Sequence, residues 1–343
     1  MSRLRTFLAG LIALFVVLTG LASPAFAQTR EQPQRPSKIV FTILSAEGQA
    51  SSGPLWQPLL DDLQRAIGIP VEPVFGSNYS VLVEAMSADQ AQIGWFSALP
   101  AVQAIDRAGA EVIARTVDVD GKDSYTSSLI VKKGSGITVE DLVRCGKQYD
   151  FGIGDAQSTS GTLAPMTYFF SPRNISPAEC FATVRSASHQ ANLGSVANGV
   201  LDVATNNTEG LLFATRENPA IPAKVQVIWT SPPLPESSIL VRKDLDPAIK
   251  AKLLKFFTTY GSATGAQGEH ERQVLKNLTY GGVRATDDSY LDPIRLMVAS
   301  DDLSRARRSG DAARIATSQK AFDAAQALAA SRGPGASSSA PAS

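Results

Sequence analysis

The stretch Asp150-Phe-Gly-Ile-Gly-Asp-Ala-Gln-Ser-Thr-Ser-Gly161 is followed at once by Thr162-Leu-Ala-Pro-Met-Thr-Tyr-Phe-Phe170. Its pattern predicts a buried strand, a turn that carries Ser158, Thr159 and Ser160, and a helix from residue 162. The first N–H groups of a helix lack partners and carry the positive end of its dipole, so three hydroxyls there would add donors for an oxyanion. The alternative is that one hydroxyl caps the helix while the others face water.

Composition sets the broad class of the protein. The chain has 343 residues, of which 44% are hydrophobic, and 32 basic residues balance 32 acidic ones. This length and composition are typical of a globular protein with room for two core-bearing domains. Because there is no basic surplus, we expect no nucleic-acid partner.

The N-terminus has the pattern of a cleaved secretory signal peptide over residues 1–27. Arg3 and Arg5 precede an apolar run from Phe7 to Leu21, and Ala25-Phe-Ala27 provides small residues at the expected cleavage site. We therefore expect cleavage after Ala27 and export, most simply to a bacterial periplasm.

Strand and helix patterns alternate through the rest of the chain. Lys38–Leu44 and Val71–Phe75 are predicted strands, and Trp56–Ile67 is the predicted helix between them. The same order of strand, capped helix and strand recurs from Phe181 to Thr205. This alternation predicts an α/β fold with mostly parallel sheets covered by helices.

Two polar segments, Val117–Tyr125 and Trp229–Ser237, are suited to crossing between two lobes because they contain Gly or Pro. The second lobe would then be inserted into the first, with a hinge between them. The predicted division is lobe 1 at 37–124 and 238–300, lobe 2 at 125–237, a C-terminal helical extension at 301–331 and a disordered tail at 332–343. Within this division Leu291–Val298 is the last predicted helix of lobe 1.

Polar residues cluster at the predicted carboxyl ends of strands, where open α/β sheets bind ligands. Tyr79 precedes one helix, His189 begins another, and Asp202–Glu209 places polar side chains after a buried strand. Glu209 would repel a bound anion, so its presence favours a ligand with a cation at its other end, or a role in ordering a neighbouring donor. Tyr125 would add a phenolic donor and an apolar wall.

Cys145 and Cys180 lie just before the predicted strands Tyr149–Gly154 and Phe181–Ser186. If these strands are parallel neighbours, their first residues lie side by side, and an oxidising compartment would allow a disulfide. The alternative is two separate buried thiols. Neither His189 nor the other histidine, His270, has the spacing of a metal site, so we expect no metal and no cofactor.

From about Lys38 to Met297 the sequence resembles the substrate-binding proteins of phosphonate and phosphite ABC transporters. The motifs that carry the resemblance are Asn78-Tyr79, Glu84-Ala-Met86, Ala114-Arg-Thr-Val117, Ser158-Thr-Ser-Gly161, His189-Gln190, Asp202-Val-Ala-Thr-Asn-Asn-Thr-Glu209, Ile228-Trp-Thr-Ser-Pro232, Arg242-Lys-Asp-Leu245 and Asp292-Pro-Ile-Arg295. The resemblance implies a two-lobe, type II-like binding protein that closes on its ligand and then docks on a membrane permease and its ATPase.

The resemblance also implies roles for particular residues. Phosphonate oxygens would be bound by Ser158, Thr159, Ser160 and His189, with Tyr79 and Tyr125 on either side. Glu209 is similar to one partner of a ligand amine. The family places an Asp as second amine partner at the position of Ser237, and Glu236 lies one residue early. This departure leaves aminoalkylphosphonates, other phosphonates, phosphite and phosphate esters open as ligands.

Two other functions fit part of the pattern. An exported phosphoester hydrolase would use Ser158 or Ser160 with His189, but the chain has no Gly-x-Ser-x-Gly motif and no evident third residue to orient the histidine. A ligand-sensing partner of a membrane kinase would have the same pocket with a different docking surface. We expect a binding protein, not an enzyme.

Overall fold

A computed structural model describes residues 33–45, 49–76 and 78–332. The expected signal peptide, residues 1–27, lies outside the described residues, as does the 333–343 part of the expected tail. No helix within the described ranges is both long enough and apolar enough to cross a membrane.

The strands are β1 (Ile39–Leu44), β2 (Val71–Gly76), β3 (Ile93–Phe96), β4 (Ala110–Asp118), β5 (Ser124–Tyr125), β6 (Ser127–Lys132), β7 (Asp150–Ile153), β8 (Thr183–Ser186), β9 (Val203–Asn207), β10 (Val225–Thr230), β11 (Leu234–Pro235), β12 (Ser238–Arg242) and β13 (Tyr280–Ala285).

The α-helices are α1 (Gln49–Ile67), α2 (Tyr79–Ser87), α3 (Ala98–Ala108), α4 (Val139–Arg144), α5 (Pro177–Cys180), α6 (His189–Ala197), α7 (Thr208–Glu217), α8 (Pro247–Thr259), α9 (Gly265–Asn277), α10 (Asp292–Ser309) and α11 (Ala312–Arg332). Two π-helical segments, Thr159–Leu163 and Met166–Phe170, follow β7, and short 3-10 turns occupy Ser171–Arg173, Pro222–Lys224 and Asp288–Leu291.

The first sheet has the strand order β13-β4-β12-β3-β1-β2. Alternating residues of β1, such as the fully buried Phe41, face a layer formed by α1, α8 and α9, where Leu63 and Phe257 pack against them. The opposite face is covered by α2, α3 and α10, through residues such as Leu82 and Ile294. Helices on both faces of a sheet are what the alternating sequence pattern predicts.

The second sheet has the order β10-β6-β9-β7-β8. Phe151 of β7 stacks on Phe181 with ring centroids 4.5 Å apart, and both belong to the core on one face of this sheet. The expected α/β architecture with two sheets flanked by helices is therefore confirmed.

The sheets are mixed, which corrects the expectation of mostly parallel strands. β1 is parallel to β2 and β3, and β7 is parallel to β8 and β9. The pairs that involve β12, β13 or β6 are antiparallel. The reason lies in the connections, since only strands joined through a crossover helix must run parallel. β6 and β12 follow segments that pass from one sheet to the other.

Those two segments pair with each other as the antiparallel ribbon β5–β11, in which Tyr125 lies opposite Leu234. All strands of the first sheet lie within residues 37–124 and 238–300, and all strands of the second lie within 125–237. The ribbon is thus located where the two lobes are expected to meet, and motion about it stays a prediction.

The C-terminal region differs from the expectation of a helix over Leu291–Val298 and a separate extension from residue 301. Helix α10 runs without a break to Ser309, and Asp301, Leu303 and Ala306 are buried along it. It ends at Gly310, whose φ of 69° is a left-handed conformation that favours glycine. Helix α11 then returns along α10, so the extension is half of a helical hairpin.

Cys145 and Cys180 form a disulfide, with their Cα atoms 4.5 Å apart. They precede β7 and β8, which are parallel neighbours, so the bond lies at the N-terminal edge of the second sheet. Ligands of open α/β sheets bind at the opposite, C-terminal edge.

Replacing both cysteines, as Cys145→Ser/Cys180→Ser, should lower the free energy of unfolding by about 3 kcal/mol, because the bond closes a loop with a sequence separation of 35. Urea unfolding of oxidised wild type, reduced wild type and the double variant measures this. Reductant should destabilise the wild type and leave the variant unchanged; equal stability of all three would contradict a structural bond.

Candidate functional site

A cleft of about 310 Å³ lies beyond the carboxyl ends of the central strands of both sheets. The first lobe contributes Leu44, Asn78, Tyr79 and Trp95 to its walls. The second lobe contributes residues that follow β7 and β8, among them Asp155, Ser158 and His189. The cleft therefore has the location at which the sequence predicts a ligand.

The helix after β7 begins at Thr159, three residues before the predicted start. Ser158 is its N-cap, and the Ser158 hydroxyl accepts a hydrogen bond from the Gly161 N–H at 2.9 Å. The first turn is wide, since the N–H of Leu163 bonds to the Ser158 carbonyl at 3.1 Å. Thr159 and Ser160 consequently lie on the first helical turn and not on the preceding loop.

Two glycines bring the end of β7 and this helix start into direct backbone contact. The Gly154 N–H donates to the Gly161 carbonyl at 2.9 Å. A Cβ atom at Gly154 would lie 2.5 Å from the Gly161 Cα, which leaves no room for a side chain. This close approach fixes where the serine hydroxyls stand relative to the strand.

The hydroxyls of Thr159 and Ser160 each accept one amide hydrogen, as that of Ser158 does. The Leu99 N–H donates to Thr159 Oγ1 at 2.8 Å, and Asn207 Nδ2 donates to Ser160 Oγ at 2.9 Å. Both side chains are almost completely buried. A hydroxyl whose oxygen accepts from an amide has its own hydrogen left to donate. The three hydroxyls together are therefore suited to donate to an anion.

His189 begins α6, with Ser188 as N-cap. Its Nε2 lies 3.2 Å from Ser160 Oγ, and its carbonyl accepts from Asn206 Nδ2 at 2.9 Å. Burial lowers the pKa of His189 to about 4, although contact with a backbone group of Thr205 opposes the shift. The imidazole is thus neutral at neutral pH and offers a single N–H donor.

Tyr79 and Tyr125 are both buried and approach the serines from two sides. Tyr79 is the first residue of α2, and its phenol is hydrogen-bonded with Ser158, while Tyr125 lies on the crossing strand β5 with its phenol next to Ser160. Burial raises the pKa of both phenols, so both remain neutral donors. The negative charge of Glu209 raises them further, which places Glu209 close to both rings.

Glu209 forms a carboxyl pair with Glu236. Glu209 is the second residue of α7, and Glu236 lies fully buried between β11 and β12. Burial raises the pKa of Glu209 to about 7, and burial together with the charge of Glu209 raises that of Glu236 to about 9. Neither carboxyl oxygen of Glu236 accepts a hydrogen bond of good geometry in the described part of the chain, although the Ser237 backbone lies beside the carboxyl group. Near neutral pH the pair shares a proton.

Ser237, the expected counterpart of Glu209, is buried but lies elsewhere in the site. Its carbonyl accepts from the Thr116 N–H at 2.9 Å, which ties it to the first sheet. Glu236 is the residue whose carboxyl group meets that of Glu209. The sequence does not show whether Glu236 or Ser237 faces Glu209, because both lie in the irregular two-residue gap between β11 and β12.

Two further residues of the site, Trp95 and Tyr280, were not identified from the sequence, whereas Asn207 belongs to the predicted polar stretch Asp202–Glu209. Trp95 is the third residue of β3 and lines the cleft, and its ring lies 6.4 Å from that of Tyr280. Burial and the charges of both glutamates raise the pKa of Tyr280, so its phenol is near the pair. Asn207 orients Ser160. Of the two missed residues, only Trp95 carries a sequence signal, as a large residue near the end of a buried strand.

Among the described residues, no group of three or more His, Cys, Asp or Glu side chains is arranged to hold a metal ion. The arrangement that the structure does contain is bipolar: neutral donors lie on one side of the cleft and two carboxyl groups lie near its tyrosines.

Comparison with known proteins gives consistent matches. A family model described as "ABC transporter, phosphonate, periplasmic substrate-binding protein" matches residues 41–291. The phosphonates-binding periplasmic protein of Escherichia coli K12 is 38% identical over 279 residues, which are 81% of this chain and 79% of that protein.

Solved structures show the same fold. The binding protein component of an ABC phosphonate transporter from Pseudomonas aeruginosa has a TM-score of 0.80 and 32% identity, covering 88% of this chain and 99% of its own. PhnD1 of Prochlorococcus marinus, solved in complex with methylphosphonate, has a TM-score of 0.68 and 18% identity, with 77% and 97% covered.

The Gly154–Gly161 contact gives a stability prediction. Gly154→Ala should lower the free energy of unfolding by about 1–3 kcal/mol. The added methyl group would clash with backbone atoms of Gly161, which cannot move aside as a flexible side chain could. Gly194→Ala is the matched control, since a Cβ there meets nothing within 4 Å in the interior of α6, and it should stabilise by about 0.5–1 kcal/mol. Urea unfolding measures both; a Gly154→Ala variant as stable as wild type would contradict the close approach.

Proposed function

Because the chain belongs to the family of periplasmic substrate-binding proteins of phosphonate ABC transporters, we propose that its ligand is an aminoalkylphosphonate held between the two lobes. The protein is the phosphonate-binding component of such a transporter and works with its permease and ATPase. The observation that carries the choice of an amino ligand is the carboxyl pair of the partly buried Glu209 and the fully buried Glu236 near the hydroxyl donors.

Contacts on one side of the cleft support binding of the phosphonate group. A fully ionised phosphonate group has three acceptor oxygens and no hydrogen-bond donor, so it prefers a site made of donors. Ser158, Thr159 and Ser160 have their hydroxyl hydrogens available, and His189 and Tyr79 add neutral donors. Helix starts at Thr159 and His189 direct their dipoles toward the same region.

The carboxyl pair supports binding of an amino group at the other end of the ligand. Two carboxylates in contact repel each other, and neither forms an ion pair with a Lys or Arg among the described residues. An ammonium group between them would supply the missing positive charge and the hydrogen bonds that Glu236 lacks. The charges of both glutamates raise the pKa of the Tyr125 and Tyr280 phenols, so both tyrosines are within electrostatic range of this position, and an aromatic ring beside an ammonium group stabilises it.

Glu236 compensates for the acidic residue that the family has at the position of Ser237 and that this chain lacks there. The second acidic partner of the amine is supplied from the preceding position, where the backbone between β11 and β12 turns its side chain toward Glu209. We infer that preference for an amino group is kept in this chain. An alkylphosphonate or phosphite would contact only the hydroxyl and imidazole donors. It would leave the two carboxyl groups without a cation.

The family places the protein in the periplasm. Cleavage after Ala27 is part of the proposal, and N-terminal sequencing of the exported protein tests it. The disulfide Cys145–Cys180 is consistent with an oxidising compartment.

We infer that ligand capture involves no covalent step. Ser160 and His189 are 3.2 Å apart, as a nucleophile and its base would be. However, the Ser160 oxygen already accepts from Asn207, and no carboxylate in the described part of the chain is hydrogen-bonded to the imidazole. The contact is better explained as two donors that share one ligand oxygen.

Replacing Glu236 should separate ligands by their charge. Glu236→Gln should weaken 2-aminoethylphosphonate binding at least about tenfold, because one of two carboxylates around the ammonium is lost. Ethylphosphonate, which lacks the amine, should bind the variant as well as or better than wild type. Isothermal titration of both ligands with both proteins measures this. Equal losses for the two ligands would contradict an amine site at Glu236.

The carboxyl pair also gives a pH prediction. Its pKa values are raised in the folded protein, so its contribution to stability is present at about pH 5 and is lost as pH rises through 7 to 9. The melting temperature of free wild type should therefore fall over this range more than that of Glu236→Gln. An ammonium ligand is favoured by the same ionisation, so the affinity ratio of 2-aminoethylphosphonate to ethylphosphonate should rise with pH. A flat ratio would contradict the pair's role.

A further inference from the structure

Thr159 joins the two lobes as well as lying between the two serines at the start of the helix after β7. It begins the helix that follows β7 in the second lobe, yet its hydroxyl oxygen accepts the N–H of Leu99 at 2.8 Å. Leu99 lies in the first turn of α3, which belongs to the first lobe. The bond therefore crosses from one lobe to the other, and Thr159 is fully buried where it forms.

Helix α3 lacks a side-chain cap of its own. Ser97 is its N-cap residue, but its hydroxyl accepts no hydrogen bond from the first turn. The Ala101 N–H bonds to the Ser97 carbonyl at 3.0 Å, so the Leu99 N–H is the first-turn donor that a side chain from the other lobe satisfies. Loss of an N-cap hydrogen bond destabilises a helix. The first lobe thus gains a helix cap when the second lobe contacts it.

Apolar packing surrounds this bond. Leu99 of the first lobe belongs to one buried cluster with Leu163 and Ala164, which follow Thr159 in the second lobe. If the lobes separate here, the Leu99 N–H is returned to water and the cluster is opened.

Resting on the proposed function, we propose that Thr159 is the residue that couples phosphonate binding to lobe closure. Its hydroxyl accepts the N–H of α3 and donates its own hydrogen to the bound anion. A hydroxyl that donates to an anion becomes a stronger acceptor, so the ligand strengthens the bond between the lobes. Ser160 lacks this role, since its hydroxyl accepts from Asn207 of its own lobe. Ser158 contacts Tyr79 of the first lobe, but its hydroxyl accepts from Gly161 of its own lobe and caps no helix of the first lobe.

Amide hydrogen exchange at Leu99, followed by NMR, tests this directly. In wild type, saturating 2-aminoethylphosphonate should slow exchange of the Leu99 N–H at least about tenfold, the effect of one buried hydrogen bond. The Ala101 N–H, which is bonded within the first lobe, is the internal control and should change less. Equal protection of Leu99 with and without ligand would make the contact a permanent pivot and overturn the proposal.

Three variants separate coupling from simple ligand contact. Thr159→Val removes the hydroxyl at nearly constant volume, and at saturating ligand it should lose the added protection of Leu99. Thr159→Ser should keep it. Ser160→Ala is the matched control, because it removes a hydroxyl from the anion site without touching α3, and it should weaken binding while keeping the protection at saturation.

The outcomes distinguish this proposal from the proposed function. If wild type binds no phosphonate in the titration, both proposals are overturned, because the coupling requires the Thr159 hydroxyl to donate to a bound anion. If wild type binds and Thr159→Val protects Leu99 as well as Ser160→Ala does, the coupling role alone is overturned. Should Thr159→Val fail to fold, the comparison of free and loaded wild type still decides.

Discussion

The structure depends on how the hydroxyls at the start of the helix after β7 are hydrogen-bonded. Ser158, Thr159 and Ser160 each accept an amide hydrogen, from Gly161, Leu99 and Asn207 respectively. Their hydrogens are therefore left to donate, and burial removes the water that would otherwise compete. A site that contains donors and few free acceptors favours a fully ionised tetrahedral anion over a neutral group of the same size. The orientation of these donors is set before any ligand arrives, which lowers the entropic cost of capture.

The second constraint is the unbalanced negative charge of Glu209 and Glu236. Buried carboxyl groups in contact are costly unless a proton or a cation lies between them. In the free protein a shared proton fills that role, and in our account an ammonium group replaces it. Donors at one position and carboxylates at another make the cleft bipolar, so a zwitterionic ligand fits in one direction. Charge thus determines both which ligand binds and how it is oriented.

Sequence patterns predicted the architecture more accurately than the details of the site. Alternating strands and helices predicted the two sheets, and the Ser-Thr-Ser-Gly motif predicted three hydroxyls at a helix start, but the helix begins at Thr159 because Ser158 caps it. Strand direction was harder to predict, since antiparallel pairing follows from where the chain crosses between lobes. Glu236 was noticed one position away from the expected Ser237, and an irregular gap between two strands decides which side chain faces the cleft. Tyr280 belongs to the site only through tertiary packing, which local periodicity does not encode.

The most direct measurement is a crystal structure of the protein with 2-aminoethylphosphonate. The account predicts phosphonate oxygens about 3 Å from the hydroxyls of Ser158, Thr159 and Ser160, and the ammonium nitrogen at the same distance from the carboxylates of Glu209 and Glu236. A ligand bound with its amine toward the serines, or bound without contact to either glutamate, would contradict it.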